Sequence, residues 1–205
     1  MYIIYIMSAG LSSFDELEKE IEKVKGDFYA ETGGKNTFFK KQQKYDCAKQ
    51  VVNRIPIEVL LKNSCYVLGN TNRVNIDYIM LKSYASPEIF ETIADYIIMN
   101  FQYVSDHYKD LEVYLNLDTF TVSSAERYRG LIETFCLKCF QRNTGFSQIA
   151  SKFVIYNSPN AIESIRHIVM PFMEENVKSR MHVFTKKDSS EYVRFVSSHQ
   201  PFYIM

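Results

Sequence analysis

Apolar and polar residues alternate along this chain with two periods, one typical of strands and one typical of helices. Short apolar runs, several of them rich in β-branched and aromatic residues, predict strands. The predicted strands span 64–68, 73–78, 112–117, 152–156, 181–185 and 202–204. Apolar residues spaced three and four apart predict helices between them. The predicted helices span 12–25, 37–53, 87–104, 123–140, 160–175 and 189–196.

From Glu112 onward, strands and helices alternate, and each connection is long enough to join two parallel strands. We therefore predict an α/β fold, a mainly parallel sheet of about five strands with flanking helices. The two helices that precede Pro56 predict a short N-terminal helical segment over 1–55, followed by a larger lobe over 56–205. A length of 205 residues can bury a sizeable core in such a lobe.

The composition narrows the class of protein. The chain has 24 basic and 24 acidic side chains, which argues against a dedicated DNA or RNA binder, since such proteins usually carry a basic excess. The balance hides an acidic stretch at 11–31 and basic stretches at 35–62 and 178–194. These stretches are typical of solvated faces, but they also suit an anion site or an anionic membrane surface. The 15 Tyr and 15 Phe residues suit a solid core or a cavity for an apolar ligand.

Neither a leader nor a membrane span is predicted. The apolar stretch at 2–7 is too short for a secretory leader, and no apolar run reaches the about 20 residues that cross a bilayer. We expect a cytoplasmic protein whose four cysteines are buried thiols. Cys136 and Cys139 form a C-x-x-C pair, but a zinc site would need two further ligands at suitable spacing. We interpret the pair as small apolar side chains on one helix turn and predict no metal site.

The sequence contains no familiar catalytic pattern. H-E-x-x-H, G-x-S-x-G and G-x-G-x-x-G are absent, and residues 32–35 lack the spacing of a phosphate loop. Asp118 follows a strand, where a ligand-facing acid can sit, but the same residue can cap the next turn. An enzyme would need an unrecognised site near Asp118 or His182. We predict a protein without catalytic residues and without a cofactor.

Three segments, in the right order and at similar spacing, resemble the CRAL-TRIO lipid-binding domain, the family of phosphatidylinositol and alpha-tocopherol transfer proteins. They are the strand and helix start at 113–125, the strand ending in Asn-Ser-Pro at 153–159, and the helix with its Pro-Phe-Met step and basic turn at 168–183. The resemblance extends over about 60–203. The family often has Asp where Asn116 stands, Gly where Thr119 stands, and an acid or Ala where Ser158 stands.

The resemblance implies an apolar pocket that is closed by a mobile lid helix, here 160–175. Apolar residues lie at roughly helical spacing along that segment and form one face. They are Ile162, Ile165, Val169, Phe172 and Met173. The same pattern fits a helix that packs on the sheet without any pocket.

The resemblance also places basic residues near the end of the lid, where an anionic lipid headgroup would bind. Lys152, Lys178 and Arg180 are the candidates, because Arg grips phosphate with two parallel N–H bonds and Lys adds a point charge. Lys186 and Lys187 are candidates for contact with an anionic membrane surface. Each of these residues is equally well explained as an exposed, solvated base.

Two functions therefore remain open. The first is a non-enzymatic protein that binds and transfers a phospholipid, a phosphoinositide or a similar lipid, with transient contact to membranes and none to nucleic acid. The second is a protein-interaction scaffold of the same fold without a functional pocket, which the departures at Asn116 and Thr119 favour. The sequence leaves the lipid and the oligomeric state open.

Overall fold

Residues 14–34, 39–140 and 145–204 are described by a computed structural model. Within them, strands form one mixed sheet in the order β5-β4-β3-β2-β1-β6. The strands are β1 Cys65–Leu68, β2 Arg73–Asp77, β3 Leu111–Asn116, β4 Ala150–Ser158, β5 Met181–Thr185 and β6 Pro201–Phe202. Strands β2 to β5 pair in parallel, whereas β1 is antiparallel to both of its neighbours. The predicted α/β fold with a mainly parallel sheet is confirmed.

Helices cover the crossovers between the parallel strands and most of the remaining chain. They are α1 Phe14–Glu31, α2 Lys40–Arg54, α3 Ile57–Ser64, α4 Tyr78–Tyr84, α5 Phe90–His107, α6 Val122–Arg127, α7 Arg129–Phe140, α8 Phe146–Ile149, α9 Ile162–Val169, α10 Glu175–Lys178 and α11 Ser190–Ser198. Short 3₁₀ turns occur at Pro87–Ile89, Met170–Phe172 and Lys186–Asp188. The expectations for 2–7, 12–13, 35 and 37–38 lie outside the described residues, and the boundary at 55/56 stays a prediction.

The prediction of one continuous helix over 160–175 is wrong. Helix α9 ends at Val169, a 3₁₀ turn follows, and α10 begins only at Glu175. Pro171 explains the break, because it has no N–H for the carbonyl one turn earlier and its ring collides with that carbonyl. Other boundaries differ as well: Tyr128 separates α6 from α7, α1 continues through Gly26 to Glu31, and Tyr78 begins α4 instead of ending β2.

Helices α3 and α4 were not predicted. Both are short, so neither carries enough turns for a periodic pattern to stand out. Helix α4 starts because the Asp77 carboxylate accepts hydrogen bonds from the backbone N–H groups of Ile79 and Met80, at 2.7 and 3.1 Å. That side-chain cap was the available signal.

The alternating side chains of the sheet build a core on each face. On one face, Val113 and Ile155 join the main core with residues of α5 and α7. On the other face, Tyr114, Val154 and Tyr156 form a smaller cluster against Phe184 and apolar residues of α11. The sheet therefore separates two environments, and its larger face is the one beneath α9.

Polar side chains bind the carboxyl ends of three parallel strands to one another. The Asn116 amide at the end of β3 donates to Asp77 Oδ2 at 3.0 Å, and its carbonyl accepts from Asn157 Nδ2 at 2.9 Å. Asn157 N–H in turn donates to Ser189 Oγ at 2.7 Å, just before α11. An Asp at position 116 could not donate to Asp77 when ionised, so this network accounts for the Asn.

We expect Asn116→Asp to lower the free energy of unfolding by about 1–3 kcal/mol at neutral pH, because it removes a donor and places a second carboxylate beside Asp77. Below about pH 4 the new carboxyl is protonated and donates again, so the loss should shrink. Urea unfolding at both pH values measures this, with the exposed Asn160→Asp as the matched control. An equal loss at both pH values would contradict the account.

Candidate functional site

An apolar cavity of about 200 Å³ lies between the sheet and α9. Its floor is made by alternate residues of the parallel strands, which all point to the same face. The floor residues are Ile76, Leu115, Ile155, Met181 and Val183. Tyr78 and Leu81 of α4, Ile97 of α5, and Leu131, Ile132, Phe135 and Cys136 of α7 form the walls.

Helix α9 closes the cavity with one narrow face. Ile162, Ile165 and Val169 line the cavity, and so does Met173 beyond the 3₁₀ turn. Phe172 does not line it; the Arg129 guanidinium lies 5.5 Å from its ring centroid. Within α9, Ile165 is the one buried residue, and its apolar neighbours on that face are half-buried. The roof of the cavity is thus held by fewer buried contacts than its floor.

Two cations lie at the rim of this cavity. Arg166 of α9 pairs with Glu163 at 3.2 Å, and Lys82 of α4 donates to Thr119 Oγ1 at 2.7 Å. Burial, and next the positive charge of Lys25, lower the pKa of Lys82. The surface that faces the cavity itself is apolar. The cavity can therefore hold a hydrocarbon chain or ring, with charge available only at its edge.

None of the three predicted headgroup residues lines the cavity. Arg180 Nη1 donates to the carbonyl oxygens of Ser147 and Ala150, both at 2.8 Å, and so ties α8 to the start of β5. Lys178 pairs with Glu175 within α10 at 3.1 Å. Strand alternation places Lys152 with Val154 and Tyr156, on the face that packs against α11.

The remaining candidates lie on the surface. Lys186 pairs with Asp118 at 2.9 Å, and both Lys186 and Lys187 are exposed in a 3₁₀ turn. His182 is exposed on β5. Neither Asp118 nor His182 lines the cavity, and among the described residues no three His, Cys, Asp or Glu side chains cluster as metal ligands would.

The four cysteines are buried and form no disulfide with one another, as predicted. Cys136 and Cys139 occupy one turn of α7, and Cys136 reaches the cavity wall. Burial raises the pKa of the Cys136 thiol to about 12, and it also raises the pKa of the Tyr128 hydroxyl, which lines the same cavity, to about 12. Both groups are therefore neutral parts of an apolar wall at ordinary pH.

Within the described ranges, no helix combines the length and the apolar character that crossing a bilayer requires.

Comparisons with known proteins match the same part of the chain. The sequence profile of the CRAL/TRIO domain matches residues 75–201, more than half of the chain. A solved structure described as "Crystal structure of Sfh5" is similar at 10% sequence identity with a TM-score of 0.46, over 88% of this chain and 84% of that chain. A search of curated proteins gives no match. The profile match contains β3, β4, β5 and all of α9.

We expect Arg180→Ala to cost about 1.5–3 kcal/mol of unfolding free energy, because it leaves two carbonyl oxygens without a charged donor. Lys178→Ala should cost about 0–1 kcal/mol, because its partner Glu175 is exposed. Urea unfolding of the two variants compares them directly. Equal losses would show that Arg180 does not anchor α8.

Stability should fall at alkaline pH. The folded pKa values of Tyr128 and Cys136, about 12, exceed the ordinary values of 10.0 and 9.0, so the native state retains protons that the unfolded chain releases. The contribution is complete below about pH 9 and is lost as pH rises toward about 12. Urea midpoints between these limits should fall for the natural chain, and less steeply for Tyr128→Phe with Cys136→Ala. An unchanged slope in that double variant would refute the assignment.

Proposed function

Since the chain belongs to the CRAL/TRIO domain family, a family of lipid-binding domains, we propose that it binds a hydrophobic ligand beneath α9 and carries it between membranes. The family assignment confirms the resemblance carried by the three sequence segments. A phospholipid, a phosphoinositide or a similar lipid fits the proposal. The role is binding and transfer, without a catalytic step.

One observation carries the proposal: the cavity beneath α9 is apolar on every side that faces it. Moving a methylene group from water into such surroundings gains about 0.8 kcal/mol, so even a short acyl segment gains several kcal/mol. A cavity lined in this way offers nothing that would hold water in place, because water needs two to four polar partners.

The small volume of the apolar cavity supports the proposal that α9, which covers it, moves when a ligand enters. Pockets for drug-sized ligands span about 300–1,000 Å³, and the present cavity of about 200 Å³ holds only part of a phospholipid. Helix α9 has one buried residue, and the break at Pro171 separates it from α10. Met170 and Met173, which are flexible side chains, line the cavity on either side of that break. We infer that α9 and the following turn swing outward to admit the rest of the lipid.

Contact with a membrane belongs to the same proposal. We propose that three lysines contact anionic lipid: Lys178, Lys186 and Lys187. Each would contribute about 1 kcal/mol of binding free energy near such a surface. For Arg180 to bind a headgroup it would have to leave the carbonyl oxygens that it now holds, and Lys152 would have to reach around the sheet edge. Headgroup binding at these two positions therefore requires both side chains to rearrange.

A second candidate function rests on the same small volume. A protein-interaction scaffold keeps the fold but needs no lipid, and a cavity of about 200 Å³ is close in size to a packing defect of an apolar core, since an engineered apolar cavity of about 150 Å³ stays dry. This alternative predicts that no lipid accompanies the protein and that no apolar probe enters it.

The test uses a pair of matched variants. The chain contains no Trp, so Val169→Trp in the cavity wall and Val193→Trp on the exposed side of α11 each introduce a single fluorophore. We expect the natural chain to bind cis-parinaric acid, Val193→Trp to bind it equally, and Val169→Trp to bind it at least about tenfold more weakly because the indole fills the cavity.

Lipid extraction and native mass spectrometry of the purified protein complete this test. Recovery of a lipid that Val169→Trp excludes would support the proposal. Absence of lipid, together with equal and negligible binding of the probe by all three proteins, would overturn it and favour the scaffold.

A further inference from the structure

A second cavity, of about 480 Å³, is lined by residues of α1, α2, α4 and α6 and of the loop before α6. Five cationic residues line it, and no Asp or Glu is among the residues that form its described wall. The cations are Lys25, Lys40, Lys44, Lys82 and Arg127. They come from four separate elements, so the chain folds to bring like charges together, which costs electrostatic free energy unless an anion is present.

Arg127 is the innermost of these cations. The residue is only 7% exposed, and its Nε has no hydrogen-bond partner. Among the described residues, no carboxylate forms an ion pair with it. The Tyr128 ring lies 5.5 Å from the guanidinium carbon, which gives only a partial counterweight to the charge. A buried guanidinium with an unused donor needs a counterion for stability.

Lys82 is held at the junction between the two cavities. It lines both of them, as does Tyr78 one turn earlier on α4. Its ammonium donates to Thr119 Oγ1 at 2.7 Å, and Thr119 adopts the left-handed backbone region with φ of 63°. That conformation is unfavourable for a β-branched residue. The backbone is therefore strained at Thr119, the residue whose hydroxyl orients Lys82.

The carboxylates near this cavity leave its inner cations without an ion pair. Glu22 pairs with Lys25, one of the five cations of the cavity, whereas Asp118 pairs with Lys186, and Asp77 caps α4 and accepts from Asn116. Asp77 and Asp118 still act on Lys82 from a distance, as does Glu22. None of the three forms an ion pair with Arg127 or Lys82, so the inner part of the cavity keeps its positive charge.

We propose that this basic cavity, formed by Lys25, Lys40, Lys44, Lys82 and Arg127, binds a phosphate-bearing anion. Arg127, which is buried, and Lys82, which borders both cavities, are the inner ligands, and Lys40 is exposed to solvent. Guanidinium offers paired donors that match phosphate oxygens, and hydroxyl groups of the wall, such as that of Thr121, add neutral partners. The volume falls in the range of about 300–1,000 Å³ that suits a small ligand and exceeds the needs of a single inorganic ion.

The phosphate could belong to a lipid or to a soluble molecule. In the first case the headgroup would lie here while the tail passes Tyr78 and Lys82 into the apolar cavity. In the second case a soluble polyphosphate would bind without any lipid. The chemistry is the same in both, and the site differs from the basic turn at 178–187, none of whose residues lines this cavity.

The experiment titrates the full chain at constant ionic strength with pyrophosphate, with inositol hexakisphosphate, and with phosphatidylcholine vesicles that contain or lack phosphatidylinositol 4-phosphate. Calorimetry gives affinities for the soluble probes, and vesicle flotation gives them for the lipid. The variants are Lys82→Gln, Lys40→Gln and Arg127→Lys, which retains the charge but loses the paired donors. Lys49→Gln is the matched control, because Lys49 lies on α2 outside the cavity and pairs with Glu88.

We expect at least one phosphate probe to bind the natural chain, with a loss of about tenfold or more in Lys82→Gln and Arg127→Lys and little change in Lys49→Gln. Binding of soluble probes supports a soluble source, and binding of phosphoinositide vesicles alone supports a lipid headgroup. Lys40→Gln, whose side chain is exposed, keeps the test valid if a change at Arg127 prevents folding. No binding of any probe, or an equal loss in Lys49→Gln, would overturn the proposal.

This result is separable from the function proposed for the apolar cavity. Val169→Trp should block cis-parinaric acid but leave pyrophosphate or inositol hexakisphosphate binding unchanged. Lys40→Gln should do the reverse, because Lys40 lines only the basic cavity. If Val169→Trp and Lys40→Gln each lost binding of both cis-parinaric acid and the phosphate probes, the two cavities would not bind their ligands independently. That result would overturn the proposal.

Discussion

The parallel alignment of β2, β3 and β4, fixed at their carboxyl ends by Asp77, Asn116 and Asn157, is the constraint on which the rest of the structure depends. Because the strands are parallel, the chain leaves all three at the same edge of the sheet. Helices α4, α6 and α9 therefore begin close together. Helix α4 lines both cavities, α9 lines the apolar one over the sheet, and α6 lines the basic one outward toward α1 and α2. A slip of one residue between these strands would invert their faces and remove the apolar floor.

Helix α4 contributes side chains to both cavities. Tyr78 and Lys82 lie one turn apart on the same side, so both line both cavities, whereas Leu81 lines only the apolar one and Ser83 only the basic one. A tyrosine has an apolar ring and a polar tip, and a lysine has an apolar stem and a charged end. These two side chains therefore suit a boundary between hydrocarbon and phosphate. An amphipathic ligand would meet the same change of environment along its own length.

The strands, the fold class and the cavity-lining face of α9 could be predicted because each depends on local periodicity. Ile162, Ile165 and Val169 are three and four residues apart, so one face follows directly from helix geometry. The break at Pro171 also had a local signal, the missing N–H of proline. The basic cavity had none, because Lys82 and Arg127 are 45 positions apart in the sequence and meet only in the fold. Arg180 was predicted as a headgroup ligand from its position in the family pattern, but the carbonyl oxygens that it binds could not be inferred from sequence.

Thr119 shows how a departure from the family pattern becomes informative once its contacts are known. The family often has glycine there, and a φ of 63° is easy for glycine but costs a β-branched residue about 1–2 kcal/mol. A hydrogen bond to a charged group contributes about 1.5–3 kcal/mol, and Thr119 Oγ1 accepts one from Lys82. The two effects are of similar size, so stability alone gives threonine little advantage over glycine. What threonine adds is a fixed direction for the Lys82 ammonium, at the boundary between an apolar cavity and a basic one. The residue therefore matters for the placement of charge more than for the stability of the fold.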